Sequence, residues 1–111
     1  MQNTVLDIGA KKHIPVHSGV YLQVTGPQYE TPAEAELYRV IGADTIAMSL
    51  AVEVIAAAHM NMKVCAINCI SAMGAGMDEE GFSQETIQDN MGNILPDFQI
   101  LADGLLDSLL E

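Results

Sequence analysis

Apolar positions along the 111-residue chain change period several times, and each change marks an element. Val5 and Ile8 lie three apart ahead of Lys11 and Lys12, which predicts a helix ending within residues 2–12, its basic residues suiting the C-terminal dipole. HIPVHSG reads as a connection, and GVYLQVT, residues 19–25, as a strand. GPQYETP is a loop punctuated by Gly and Pro. Residues 33–41 form a short amphipathic helix with Ala33, Leu37, Val40 and Ile41 on one side. Thr31 suits its N-cap, Pro32 its first position and Gly42 its stop.

DTIAM, residues 44–48, predicts a second strand, and residues 52–61 an Ala-rich helix. Residues 63–70 are nearly all apolar and predict a third strand buried on both faces. A Gly-rich loop, SAMGAGMDEEGF, covers residues 71–82. Ser83 caps a final helix running to about Leu110, whose stripe of Ile87, Met91, Ile94, Leu95, Phe98, Leu101, Ala102, Leu105 and Leu109 continues across Pro96 and suggests a kink there rather than a stop. Strands alternating with helices imply an α/β fold with at least part of its sheet parallel. The expected arrangement is three layers, with residues 63–70 as an interior strand and the last helix packed across the sheet. So short a chain covers both faces only in part, so copies of the chain or a further half are expected to supply the rest.

Composition narrows the function classes. Half the residues are hydrophobic, which argues against disorder. Four basic residues against fifteen acids give a net charge of −11, and residues 64–111 hold nine of the acids and no Lys or Arg. Such a surface repels phosphate backbones and anionic lipid, so no nucleic acid and no membrane is expected as a partner. No basic-then-apolar leader is apparent in MQNTVLDIGA. Cys65 and Cys69 lie four apart in the third strand, about 13 Å and beyond disulfide reach. Two reduced thiols suit a cytoplasmic protein. No metal site is expected, because His13, His17 and His59 share no spacing with the cysteines.

Three motifs then fall in order: GVYLQVTGPQYETPAE, IGADTIAMSLAVEVIAAAH, and the strand running into INCISAMGAGM. Together they resemble the purine nucleoside phosphorylase family, in its trimeric branch that includes methylthioadenosine phosphorylases. The family pattern is close to GVY-x-x-x-x-GP-x-(F/Y)-ETPAE, then LGAD-x-x-GMS-x-x-x-E-x-x-x-A-x-H, then a strand ending ITNMAAG. The resemblance covers nearly all the chain after residue 16. It implies one domain over residues 1–111, the C-terminal part, somewhat under half, of a three-layer phosphorylase-like α/β fold with a mixed sheet flanked by helices.

The resemblance also implies roles. Tyr29 and Glu30 stand where the family holds the purine. A carboxylate suits the N1–H and 2-amino donors of a 6-oxopurine, and an aromatic ring offers its face to a planar base. The same Glu could instead be a loop carboxylate favoured by the helix dipole ahead of residue 33. Glu30 points to 6-oxopurines and away from the methylthioadenosine branch. Met48 and Ser49 match the family's GMS, with Ala47 for its Gly. Met48 would lie under the ribose and Ser49 would bind phosphate, a sensible anion ligand beside a helix N-terminus. Ser71 takes the place of the Thr in ITN, beside the base. Gln84 takes the place of a His that contacts the ribose 5′-hydroxyl.

Three departures set the expectation for activity. Ala72 replaces the Asn that would donate to the purine, so no catalytic residue is certain. Gln84 is a milder change, since an amide still hydrogen-bonds. The family's N-terminal phosphate loop, with its Arg and His partners, has no counterpart. Arg39 reads as a solvated helix residue, and His59 as a helix end. Two functions follow. The chain is part of an enzyme that cleaves inosine or guanosine with phosphate to give free base and ribose 1-phosphate, with no cofactor and phosphate as co-substrate. Alternatively it is a truncated, degenerate homologue serving as an oligomeric or purine-binding module. A homo-oligomer or a missing N-terminal half is the expected partner.

Overall fold

A computed structural model describes residues 1–77 and 83–110. Its elements run in the expected order: α1 (Gln2–Lys12), β1 (Tyr21–Gln23), α2 (Pro32–Val40), β2 (Thr45–Ala47), α3 (Ala51–His59) and α4 (Gln84–Leu110). β1 and β2 pair in parallel, Tyr21 opposite Thr45 and Gln23 opposite Ala47, with α2 as the crossover. Asp44 ties the start of this pair, its carboxylate accepting from the Val20 N–H at 2.6 Å. At the far end the Val24 N–H donates to the Ala47 carbonyl at 2.9 Å.

The helix signals in the sequence are realised locally. Thr31 and Glu34 form a reciprocal capping box, with Glu34 Oε2 2.7 Å from the Thr31 amide. That backbone N–H holds the Glu34 carboxyl below its ordinary range. The box therefore stabilises α2 above the usual carboxylate range, and its contribution is lost as pH falls through the lowered native value. Thr31→Ala should cost about 1 kcal/mol of helix stability. Urea titration followed by circular dichroism checks this, and the loss of stability at acidic pH should persist in Thr31→Ala, which keeps the backbone N–H that Glu34 accepts from. In α4, Ser83 Oγ accepts from the Thr86 N–H at 3.1 Å, and the helix continues through Pro96.

The buried hydrophobic side chains among the described residues are Val5, Ala35 and Leu101. Two of them lie where α1 crosses α4. Gly104 permits that crossing, because a Cβ there would stand 2.9 Å from Ile8 Cδ1. On α4, Ile87, Met91, Ile94, Phe98 and Leu105 are half-buried, so the stripe faces inward over about five turns.

Three expectations are corrected. Residues 63–70 belong to no strand, and from residue 64 they alternate between exposed and half-buried instead of being buried on both faces. The sheet of the described residues is the parallel pair β1–β2, with no antiparallel member that would make it mixed. α4 packs on α1 rather than across the sheet. The physical reason is common to all three: nothing in the described chain lies beside residues 63–70 to complete a ladder. The apolar side of α2 is open for the same reason, with Leu37, Val40 and Ile41 all more than half exposed.

Candidate functional site

The parallel pairing of β1 and β2 brings the loops after both strands to one edge, the carboxyl edge where α/β sheets bind ligands. The loop after β1 carries Tyr29 and Glu30, and the turn after β2 carries Met48 and Ser49. They meet at Gly26, which has φ +63°, and a Cβ there would fall 2.5 Å from Met48 Sδ. Glycine is needed at this point for both backbone conformation and close approach.

Glu30 is half-buried, and its Oε1 accepts from the Ala75 N–H at 3.0 Å. This bond joins the loop after β1 to the Gly-rich segment after residue 70. Tyr29 is 46% exposed, so its ring is accessible to a planar ligand. Ser71 and Ala72 lie in the same Gly-rich segment and are half-buried. The Ser71 carbonyl accepts from Asn90 Nδ2 of α4 at 2.8 Å. Ala72 presents a methyl group, which donates nothing. Gln84 is the first residue of α4 and is exposed.

Ser49 ends the β2 turn at the start of α3. The Tyr21 hydroxyl donates to its carbonyl. Leu50 follows with φ +89°, a strained conformation for a branched residue. The N-terminal amides of α3 are partly taken: Leu50 N–H donates to Glu53 Oε2 at 3.1 Å and Val52 N–H to Gln23 Oε1 at 3.3 Å. The Glu53 carboxylate occupies the ground an anion would seek, so phosphate beside Ser49 requires cations. Arg39 does not supply one here, being paired with Glu36 at 2.7 Å. Among the described residues no three metal-ligating side chains cluster. Burial raises the pKa of the Cys69 thiol.

The structure thus gathers Tyr29, Glu30, Met48 and Ser49 at one strand edge and ties Ser71 and Ala72 to it through Ala75. Sequence reasoning missed the supports. Tyr21 and Gln23 are polar residues two apart on β1, and that period was the available signal that both reach the α3 end. Asn90 and the Ala75 amide left no signal, since their partners are backbone and loop groups distant in sequence.

A separate cavity of about 780 Å³ lies between α1, α4, the start of β1 and residues 64–70. None of the candidate site residues lines it.

Comparison with known proteins bears on this site. The profile of the family described as "Phosphorylase superfamily" matches residues 1–107. The purine nucleoside phosphorylase 1 of Bacillus subtilis (strain 168) is 44% identical over 77 residues, 69% of this chain and 28% of that protein. The protein of the same name from Geobacillus stearothermophilus is 41% identical over 92 residues, 83% of this chain and 32% of its own length. A purine nucleoside phosphorylase of Cellulomonas sp. is 38% identical over 69 residues, 62% and 24% respectively. The matched regions span less than a third of the length of these relatives.

Proposed function

The chain belongs to the phosphorylase superfamily, and from that membership we propose that it carries the base- and ribose-side portion of a purine nucleoside phosphorylase site. In the reaction assigned to such an enzyme, phosphate displaces the purine from C1′ of inosine or guanosine. The products are the free base and ribose 1-phosphate. No organic cofactor or metal takes part, and phosphate is the co-substrate. The observation that carries the reading is the meeting of the Tyr29–Glu30 loop and the Met48–Ser49 turn at one strand edge, in contact at Gly26 and Met48.

Within that reading Tyr29 stacks on the base and Glu30 accepts from its N1–H edge. Glu30 Oε1 already holds the Ala75 amide, so Oε2 is the oxygen left to the base. Met48 lies beneath the ribose, Gln84 faces its 5′ end and Ser49 faces phosphate. Ser71 and Ala72 border the base without donating to N7. The site therefore recognises the ground state of the base but lacks the groups that stabilise negative charge on a departing purine. Tight phosphorolysis needs the remainder of the fold or further copies of the chain. The alternative role as a purine-binding, catalytically degenerate module rests on Ala72. A cytoplasmic location suits the substrate, and no helix of the described residues is long and apolar enough to cross a membrane.

The test is calorimetric titration of the chain with hypoxanthine, guanine and adenine. The two 6-oxopurines should bind weakly and adenine should not, because adenine N1 is an acceptor facing the Glu30 carboxylate. Glu30→Ala should weaken hypoxanthine binding at least tenfold, since one lost hydrogen bond to a charged group is worth about 1.5–3 kcal/mol. Equal binding of adenine, or an unchanged Glu30→Ala affinity, would remove Glu30 from the site.

A further inference from the structure

We propose that the backbone amide of Ala75 sets the base preference of this site, favouring a 6-oxopurine with hydrogen at C2 over one with a 2-amino group. The proposal rests on the purine reading of Glu30 and narrows it. Ala75 lies in a tight turn that the Met77 N–H closes on the Gly74 carbonyl at 3.0 Å. Gly76 occupies the third position with φ +77°, the value a type II turn requires there. Such a turn leaves the N–H of its second residue, here Ala75, unused. Glu30 Oε1 accepts that N–H at 3.0 Å.

The fold holds both ends of this bond. A Cβ on Gly76 would stand 2.9 Å from Pro32 Cβ, and one on Gly74 would stand 3.6 Å from Ala35 Cβ, so the turn rests on the first turn of α2. Ala35 is one of the buried residues of the chain. Glu30 directly precedes Thr31, which the capping box with Glu34 fixes. The amide and the carboxylate are therefore both anchored at the start of α2, and Oε1 is committed before any ligand arrives.

Hypoxanthine and guanine differ at the edge that meets Glu30. Hypoxanthine presents N1–H beside a C2–H, a single donor that Oε2 satisfies. Guanine presents N1–H and an amino N–H side by side, a pair that suits both oxygens of a free carboxylate. Here the amino group must either share Oε1 with the Ala75 N–H or displace it. Sharing sets two donors on one oxygen and weakens both bonds. Displacement leaves the Ala75 amide, in a half-buried residue, without its acceptor. In either case the amino group gives up its hydration for an imperfect bond. The C2–H of hypoxanthine carries no such cost.

The experiment titrates the chain calorimetrically with inosine and with guanosine, in the absence of phosphate. Inosine should bind about tenfold more tightly than guanosine. Ala75→Pro removes the competing N–H at a turn position that favours proline, and guanosine should then bind at least as tightly as inosine. Glu30→Gln probes the same bond without altering the backbone. The Ala75 N–H then holds the amide oxygen, so the amide NH2 turns to the base. Inosine binding should weaken at least about tenfold, and adenosine, with an acceptor at N1, should gain measurable binding. Equal binding of inosine and guanosine by the unmodified chain would overturn the proposal while leaving Glu30 in the site. An unchanged preference in an Ala75→Pro chain of native helix content, or undiminished inosine binding in Glu30→Gln, would overturn it equally. Failure of the unmodified chain to bind either nucleoside would remove the purine reading and the proposal with it.

Discussion

Incubated with inosine and phosphate, the 111-residue chain should release no hypoxanthine above background. Two losses act together. Ala72 offers no donor to the purine, and deleting one such preorganised donor lowers turnover by about 10²–10³. Phosphate, in addition, meets no cationic clamp. Among the described residues, Arg39 is held by Glu36, Lys11 and Lys12 lie at the end of α1, Lys63 is exposed beyond the C-terminal end of α3, and Glu53 sits at the α3 N-terminus beside Ser49. Ala72→Asn alone should therefore leave the rate at background, because the nucleophile still lacks its ligands. Absorbance at the hypoxanthine band checks both proteins. Turnover by the unmodified chain near that of a complete phosphorylase would mean that another residue of this chain replaces Asn.

Leu101→Ala should abolish cooperative unfolding of the chain. Leu101 is 5% exposed and lies with Val5 at the α1–α4 crossing. Truncating a buried Leu costs about 2–5 kcal/mol, against a total of about 5–15 kcal/mol for ordinary domains. With so few buried side chains, this chain stands at the low end of that range. Leu101→Met conserves volume and should cost less than about 1.5 kcal/mol. Urea titration by circular dichroism distinguishes the two. A small, equal shift of the midpoint for both variants would show that the crossing does not hold the fold.

Local signals were legible wherever a side chain closes its own bond. Thr31 and Pro32 start α2, Ser83 starts α4, and both starts were readable because the capping partners lie within three residues. The period of α4 was readable because one helix, α1, covers it. Residues 63–70 were misread because their hydrophobicity reports what the whole fold buries, while strand formation needs a paired neighbour that the described residues do not provide. The positions of Tyr29, Glu30, Met48 and Ser49 came from motif resemblance. Their supports at Gln23, Ala75 and Asn90 join groups 19 to 45 positions apart, a kind of contact that no local period encodes.

The most direct measurement of the base-recognition claim is a backbone amide NMR titration of the chain with hypoxanthine. Base that engages Glu30 perturbs the carboxylate holding the Ala75 N–H. The Tyr29, Glu30 and Ala75 amides should therefore shift together and saturate with one affinity. Those shifts should vanish in Glu30→Ala. Saturable shifts confined to Ile14, Cys65 and Phe98, which line the separate cavity, would contradict the account, as would the absence of any saturable shift.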